Sequence, residues 1–387
     1  MSHVFLTGGS GVIGSALIPK LLGQPDLRLT VLLRAESHDH LGHRASRLLD
    51  FCGLSNPDDR ERIQFLKGDV NQGQLGITTE DYTELQNTAT AIIHSAGCVK
   101  LNQSIDDARR NAVFPAKEIL SLARSARHLQ KIDAVSTIGV AGRMPGVIQE
   151  RRLTEPRTFH NNYEQAKSEA EEVLWQGIGD GLPITIHRPS MIVGDSRNGA
   201  IAHYQVFYHL CDFLSGRRSF GFQPDLGNSL LDIIPVDIVA TAICLSVTGR
   251  VGPAHVLHLC SGSLPDLRLT HLAEKVRTIY DSHGKVCPKI RVVPSSLFNV
   301  LIGVAQRIGS RRLKKQASTL PYFLAYLGNQ QRFDNTRFQQ SLGEACMAMR
   351  TVGKYLPIVL GPYLSDSHAK IPSSAIAHEC QIVAEAR

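Results

Sequence analysis

The sequence predicts a doubly wound α/β fold, in which helices cover both faces of a mostly parallel sheet, joined to a smaller, mainly helical C-terminal lobe. Short apolar runs alternate with runs of helical period through about residue 260, as in successive βαβ units. The first apolar run ends in a glycine-rich turn that leads directly into a helical pattern. At 387 residues, the chain also exceeds the usual size of one hydrophobic core, which favours an attached lobe.

The first turn, residues 7–14, reads Thr-Gly-Gly-Ser-Gly-Val-Ile-Gly and leads into the amphipathic run Val12–Leu22. Gly8 permits the sharp reversal, Gly11 lets the backbone approach a pyrophosphate, and Gly14 lets the helix pack closely on the strand. The unpaired N–H groups at the helix start would face the phosphates. We therefore predict a dinucleotide site, a ligand-free glycine turn being the alternative. Its predicted residues in this turn are Thr7, Gly8, Ser10, Gly11, Val12, Ile13 and Gly14.

The second predicted strand, Arg28–Leu33, is followed by Arg34, which lies 34 − 14 = 20 residues after Gly14. An NAD-binding protein holds an acid at this place for the ribose 2′-hydroxyl, whereas an arginine can pair with a 2′-phosphate. The spacing therefore favours NADP(H) over NAD(H). Arg44 is a candidate second phosphate contact, and a solvated helix charge is its alternative.

Two later strand ends supply further cofactor candidates. The third predicted strand, Arg62–Lys67, leads to Asp69 and Val70, which can contact the adenine or simply cap a loop. The fourth, Thr90–His94, opens into small residues that would let its carboxyl end run under the cofactor. Those small residues are Ser95, Ala96 and Gly97.

The predicted catalytic group is a tyrosine, a lysine and a hydroxyl. Tyr163 and Lys167 lie four residues apart on the predicted helix Asn161–Trp175 and so share one face. A phenol has an ordinary pKa of about 10, and we expect the neighbouring ammonium to lower the pKa of Tyr163. Lys167 can also reach the nicotinamide ribose hydroxyls, so it is a cofactor-binding candidate as well as a catalytic one. Thr137, after the predicted strand Lys131–Val135, can donate a second hydrogen bond to the same substrate oxygen. Such a Tyr-x-x-x-Lys pair also occurs by chance, but here it accompanies the glycine turn.

The domain organisation follows from where this pattern stops. Residues 1–260 form the predicted NADP-binding domain, and within it residues 195–231, where strand alternation is lost, contribute to a substrate lobe. Residues 261–364 form the predicted C-terminal substrate-binding lobe, and residues 365–387 a loosely held tail. Within the predicted helix 106–126, Pro115 is expected to introduce a kink or start a new segment.

Composition narrows the class of partner. Lysine and arginine exceed aspartate and glutamate by 42 − 35 = +7, and the pI is about 9.0. The basic residues are scattered apart from the run Arg307–Lys315, which suits an anionic cofactor or acidic carrier better than nucleic acid. The apolar stretch Leu297–Ile308 before it can be an interfacial membrane helix or, as we favour, a core helix of the lobe.

Location and metal content are predicted from the same composition. The eight cysteines form no CxxC pair, which is typical of reduced thiols in a cytoplasmic protein. The start of the chain leads directly into the first strand, so we expect no signal peptide. No apolar run reaches the roughly 18 residues of a spanning helix, and the 16 histidines show no metal-binding spacing.

Together these motifs make the chain resemble an extended short-chain dehydrogenase/reductase, most similar to the thioester-reductase and fatty acyl-CoA reductase group of the male-sterility type. The resemblance covers about residues 3–260. It is carried by Thr7–Gly14, Leu33–Ala35, Gly68–Val70, Leu75–Ile77, His94–Ala96, Val135–Gly142, Tyr163 with Lys167, Arg188–Ser196 and Leu231–Asp237. It implies catalytic roles for Thr137, Tyr163 and Lys167, and it places Pro189 and Ser190 beside the nicotinamide. Pro115 departs from the family pattern, which has glycine in Asn-x-x-Gly after Asn111.

The resemblance implies an NADPH-dependent reductase of an acyl thioester, on coenzyme A or an acyl carrier protein, giving an aldehyde or alcohol. Because no adenylation or carrier domain precedes the reductase, we expect the thioester to arrive from outside. Arg217, Arg218 and the basic run are candidates for holding the coenzyme or carrier, or they are solvated charges. A hydroxysteroid-type ketone or alcohol dehydrogenase and an NADP(H)-binding sensor without turnover are the alternatives. The sequence carries no signal for an oligomeric state.

Overall fold

The computed structural model describes residues 2–249, 256–262, 268–308, 330–342 and 352–365. The strands are β1 (Ser2–Thr7), β2 (Leu27–Leu33), β3 (Ile63–Lys67), β4 (Ala91–His94), β5 (Lys131–Val135), β6 (Val147–Ile148), β7 (Ile184–Pro189), β8 (Met191–Val193), β9 (Phe222–Pro224), β10 (Ile233–Pro235), β11 (Val256–Leu259), β12 (Arg291–Val293) and β13 (Arg332–Phe333). The helices are α1 (Val12–Leu22), α2 (His38–Phe51), α3 (Pro57–Glu61), α4 (Thr79–Thr88), α5 (Ile105–Ser125), α6 (Asn162–Gly179), α7 (Val206–Leu214), α8 (Val236–Val247), α9 (Leu269–Ser282), α10 (Ser295–Ile308), α11 (Thr336–Leu342) and α12 (Val352–Ser365).

Seven parallel strands form the central sheet in the order β11-β7-β5-β4-β1-β2-β3. The predicted doubly wound α/β fold is confirmed. The strand order reverses at β1, which lies between β2 and β4, and Thr7 at its end pairs with Leu32 on one side and His94 on the other. In open sheets of this kind, ligands bind outside the carboxyl ends of the strands at such a switch point.

Each face of the sheet buries its own hydrophobic core. Leu17 of α1 and Ile243 of α8 pack on one face, together with apolar residues of α2. Ile119 of α5 and Leu174 of α6 pack on the other face. Because strands of such a sheet are buried on both faces, they read as continuous apolar runs rather than alternating ones.

The C-terminal lobe has a separate core, made mainly by helices. Phe213 of α7, Tyr280 of α9, Phe298 of α10 and Leu356 of α12 are buried together in it. Helix α7 lies in the 195–231 stretch, where the sequence shows no strand alternation, and most of its apolar residues are buried in this core. The predicted extent of the lobe, residues 195–231 and 261–364, stays a prediction, and residues of both stretches contribute to this core.

Residues 330–342 return to the first unit although they fall within the stretch predicted as the lobe. Phe338 of α11 is fully buried in the core that contains α8 and β11. Strand β13 pairs with β6, and Gln331 Nε2 donates a hydrogen bond to the carbonyl of Gly142 at 2.9 Å. Residues 330–342 thus pack against the dinucleotide-binding unit, although α12 of the lobe follows them in the sequence.

Helix α5 continues through its proline, so of the two outcomes expected at Pro115, a kink or a new segment, the new segment is wrong. It runs from Ile105 to Ser125, through a buried Pro115, and no new segment starts there. Since proline has no N–H, the carbonyl of Asn111 loses its intrahelical partner. The Asn111 side chain accepts a hydrogen bond from Asn71 Nδ2 at 3.0 Å, which ties α5 to the loop after β3.

Helix α10 buries Phe298 and Ile302 in the lobe core, as expected of a core helix. Its other side exposes Leu297, Val300 and Val304 by 46–60%. Among the described residues, no helix is both long enough and apolar enough to cross a bilayer. Residues 309–315 of the predicted basic run and residues 366–387 of the predicted tail lie outside the described part of the chain.

Candidate active site

The glycine turn directly follows β1 and packs against the residues after β4. Gly8 has φ +76°, and a Cβ built on it would lie 2.6 Å from the backbone nitrogen of Ala96. A Cβ on Gly14 would lie 2.2 Å from the Gly8 carbonyl oxygen, and Gly11 N–H donates to that same oxygen at 3.0 Å. Both positions therefore require glycine, one for the turn and one for the close approach of α1.

The start of α1 is suited to an anionic ligand. Its N-cap is Gly11, which supplies no side-chain hydrogen bond to the first turn. Helices α7, α8 and α9 likewise lack a side-chain cap, whereas α2, α4, α5 and α6 each begin with a side chain that accepts from the first turn. Those caps are Ser37, Thr78, Ser104 and Asn161. Because α1 directly follows the glycine turn at the carboxyl end of β1, its first-turn N–H groups fit the pyrophosphate of a dinucleotide.

Two arginines flank this turn. Arg34 directly follows β2 and is exposed. Arg44 of α2 donates to the Arg34 carbonyl at 2.8 Å and to Ser10 Oγ at 3.2 Å. The predicted 2′-phosphate residue and the glycine turn are therefore joined by Arg44, a link that sequence spacing alone did not specify.

The remaining predicted cofactor residues line the same edge of the sheet. Asp69 and Val70 follow β3 and are half-buried, and Asp69 Oδ1 accepts from Asn71 N–H at 2.9 Å. Ser95 N–H donates to the Thr7 carbonyl at 3.2 Å, and Ala96 N–H donates to Thr7 Oγ1 at 3.4 Å. The residues after β1 and β4 thus meet at the turn, whereas the end of β3 lies on the same edge of the sheet beyond β2.

Tyr163, Lys167 and Thr137 come together as predicted. A hydrogen bond joins the side chains of Tyr163 and Thr137, and Thr137 Oγ1 also accepts from Gly139 N–H at 3.1 Å. Lys167 is buried, and its Nζ donates to the Val135 carbonyl at 3.2 Å. These contacts place two hydroxyls and one ammonium at the carboxyl end of β5.

The expected lowering of the Tyr163 pKa is wrong for this arrangement. Burial raises the pKa of Tyr163 above the ordinary phenol value, and the nearby Glu164 and Cys98 raise it further. The reason is that a buried phenolate loses its hydration, which here outweighs the hydrogen bond from Thr137. Tyr163 is therefore a neutral phenol at pH 7, the form that donates a proton.

Lys167 keeps its charge at neutral pH. Burial lowers the pKa of Lys167 to about 8, while Glu171 and Cys98 act in the opposite direction. The Gly97 backbone lies close by, since a Cβ there would be 3.2 Å from Lys167 Nζ. The ammonium thus stands between the loop after β4 and the end of β5.

His94 is a site residue that the sequence reasoning did not single out. Its Nδ1 is 2.8 Å from Thr7 Oγ1. Burial and the Lys167 charge lower the pKa of His94 to about 3, so the ring is neutral. The available signal was its position as the last residue of β4, opposite Thr7 at the end of β1.

Pro189 and Ser190 lie where β7 meets the lobe. Both are buried, and Ser190 N–H donates to the Leu259 carbonyl at 2.9 Å. Nearby, Asp232 accepts from the N–H groups of Ser261 and Gly262 at 2.9 and 3.0 Å. Burial raises the pKa of Asp232 to about 7. The residue after β7 therefore contacts the end of β11, and the residues after β11 contact Asp232, which directly precedes β10.

The described residues hold no cluster of three or more histidine, cysteine or acidic side chains placed to bind a metal. Six cysteines fall in the described part of the chain, and none of these six forms a disulfide. The basic candidates of the lobe are mostly engaged: Arg218 pairs with Asp212, and Arg217 donates to the Val286 carbonyl while remaining exposed.

The reversed strand order, the glycine turn and the Thr-Tyr-Lys group together define an NAD(P)-binding protein of the extended short-chain dehydrogenase/reductase class. Residues 6–243 match the model of an NAD-binding family described as "Male sterility protein". The chain belongs to that family.

Individual relatives agree with this assignment. The chain is 27% identical over 266 residues to the nonribosomal peptide synthetase asaC of Aspergillus flavus. The aligned region covers 66% of this chain and 26% of asaC. The chain thus spans about a quarter of the length of that relative. The terminal R domain from the myxalamid PKS-NRPS pathway has a similar fold, with a TM-score of 0.77, 24% identity and coverage of 94% and 90% of the two chains. A thiolation-reductase di-domain from an archaeal nonribosomal peptide synthetase gives a TM-score of 0.68 at 18% identity, with coverage of 94% and 75%.

Proposed function

We propose that this chain is an NADPH-dependent reductase of acyl thioesters, which converts a substrate carried on coenzyme A or an acyl carrier protein to an aldehyde or alcohol. The observation that carries the proposal is the hydrogen-bonded pair of Tyr163 and Thr137 beside the buried ammonium of Lys167. The family membership supports the class of reaction. The names of the relatives, two of which are synthetase reductase domains, support a thioester substrate.

The protein side of the reaction follows from these protonation states. When bound, NADPH supplies a hydride for the carbonyl carbon. Tyr163 and Thr137 donate hydrogen bonds to the carbonyl oxygen, on which negative charge develops. Since burial keeps the phenol protonated at neutral pH, Tyr163 is suited to deliver its proton to that oxygen. The resulting hemithioacetal then loses the thiol and becomes an aldehyde.

Cofactor preference belongs to the same proposal. Arg34 stands at the end of β2, and Arg44 links its backbone to Ser10 of the glycine turn. A guanidinium at this place forms a charge-assisted pair with a 2′-phosphate. We therefore assign NADP(H), rather than NAD(H), as the cofactor.

The acyl group requires a carrier that delivers it as a thioester. A phosphorylated coenzyme or an acidic carrier protein suits a chain of net charge +7. Arg217 of the lobe is exposed, and we assign it to the contact with the coenzyme or carrier.

The test is NADPH oxidation against acyl-CoAs, carrier-bound acyl groups, aldehydes and ketones, with identification of the products. We expect thioesters to yield aldehyde or alcohol together with one equivalent of free thiol. Tyr163→Phe should abolish turnover and leave NADPH binding intact. Turnover of ketones without any thioester would instead favour a hydroxysteroid-type dehydrogenase, and binding without any turnover would favour a sensor.

A further inference from the structure

One buried carboxylate joins the two strand ends that border the catalytic group. Glu171 lies on α6 one turn beyond Lys167 and is 4% exposed. Its Oε1 accepts from Ser136 Oγ at 2.5 Å and from Arg188 Nε at 2.9 Å. Its Oε2 accepts from Arg188 Nη2 at 2.6 Å. The carboxylate thus accepts three hydrogen bonds, two from Arg188 of β7 and one from Ser136, the residue after β5.

Both donors stand next to residues assigned to the site. Ser136 immediately precedes Thr137, and Arg188 immediately precedes Pro189. A shift of either donor would therefore move a catalytic hydroxyl or the wall beside the nicotinamide. Because reacting groups must be held in a narrow range of positions, a displacement of about 1 Å can reduce the rate about 100-fold.

The network continues from Arg188 across the sheet. Arg188 is 1% exposed, and its Nη1 donates to the Arg151 carbonyl at 3.1 Å and lies 3.3 Å from His258 Nε2 on β11. The polar chain therefore spans the carboxyl ends of β5, β7 and β11 beneath the site. Glu171 is the carboxylate that pairs with this buried guanidinium.

Glu171 also faces the catalytic lysine. The titratable groups that interact with Lys167 are Glu171 from α6, His94 from β4 and Cys98 from the loop after β4. Tyr163 lies one turn before Lys167 on α6. Glu171 is the carboxylate among these groups. Its negative charge raises the pKa of Lys167, whereas burial lowers that pKa. Loss of that charge would reduce the fraction of Lys167 that is an ammonium at a given pH.

We propose that Glu171 is a positioning residue for the reduction, which fixes the ends of β5 and β7 through Ser136 and Arg188 and serves as the counter-charge of Lys167. The inference rests on the proposed function, because it assigns Glu171 a task in that same site. Stability alone is a weak reason for such a pair, since a buried ion pair can often be replaced by apolar residues without loss of stability.

The first test compares Glu171→Gln with Glu172→Gln. Glu172 is the next residue of α6, but its ion pair with Arg152 at 2.5 Å is exposed. For Glu171→Gln we expect a fall in kcat of about 100-fold and a shift of the alkaline limb of activity by about 1 unit to lower pH. Glu172→Gln should keep the wild-type rate and pH profile. Equal behaviour of the two variants would overturn the inference.

A second variant separates positioning from folding, because Glu171→Gln leaves Arg188 buried without its partner charge. The double variant Glu171→Leu/Arg188→Met removes both charges and should recover the melting temperature. We expect it to remain as slow as Glu171→Gln. Recovery of turnover together with the melting temperature would show that the pair acts only on stability, and the inference would be wrong.

A third measurement does not depend on the substrate. Trace acetylation of lysines over a pH series, with the Lys167 peptide quantified by mass spectrometry, reports the titration of Lys167 in the wild type and in Glu171→Gln. A lower pKa in the variant supports the inference, and an unchanged pKa overturns it. If the wild type fails to reduce thioesters, the proposed function fails, whereas this titration still decides the role of Glu171.

Discussion

Replacing Gly8 with alanine should weaken NADP(H) binding by disturbing the turn rather than by removing a contact. Gly8 has φ +76°, and the new Cβ would lie 2.6 Å from Ala96 N and 2.7 Å from Ser95 C. The left-handed conformation costs an alanine about 1–2 kcal/mol, and overpacking against backbone costs about 1–3 kcal/mol more. If relief of this strain opens the turn, about 1.4–2.8 kcal/mol of lost binding energy lowers the NADPH affinity about 10- to 100-fold.

Gly181→Ala is the matched control for this substitution. Gly181 has φ +89° and no atom within 4 Å of the added Cβ, so it measures the conformational cost without the clash. The assays are urea unfolding for stability and NADPH fluorescence titration for affinity. We expect Gly8→Ala to lose more stability than Gly181→Ala and to lose affinity as well. If the two variants lose the same stability and both retain wild-type affinity, the argument from the Ser95–Ala96 contact is refuted.

Three further predictions follow from the site and the core. Lys167 is charged below its pKa of about 8 and neutral above it, so kcat should fall as the pH rises through 8. Lys167→Arg should move this alkaline limb of the pH profile to higher pH. An unmoved limb would exclude Lys167 as its source. Arg34→Ala should raise the KM for NADPH about 10- to 100-fold, the value of a charged hydrogen bond, and leave the KM for NADH unchanged; an equal rise for both cofactors would contradict the 2′-phosphate role. Phe338→Ala should lower the free energy of unfolding by about 3–5 kcal/mol, because Phe338 is fully buried. Urea unfolding measures this loss. A loss below about 1 kcal/mol, as at surface positions, would place Phe338 outside the core.

Local patterns were sufficient to predict the dinucleotide unit. The order strand, glycine turn and helix depends on neighbours in the chain, so residues 4–22 could be assigned from spacing and residue type alone. The Tyr163–Lys167 spacing likewise reflects the geometry of one helix. Helix α1 (Val12–Leu22) and strand β5 (Lys131–Val135) were predicted at their observed bounds.

Contacts between distant segments determined the rest. The pKa of Tyr163 depends on how deeply α6 is buried against β5, which no local pattern encodes, and it is therefore raised rather than lowered. The surroundings of His94 depend on β1 and β4 ending side by side, and those of Glu171 depend on β5 and β7 doing so. Residues 330–342 return to the dinucleotide unit because Phe338 is buried against α8 and β11, far away in the sequence. Sequence thus determined the elements and the residue types of the site, whereas tertiary packing decided their charge states and their partners, because burial and long-range hydrogen bonds exist only in the folded chain.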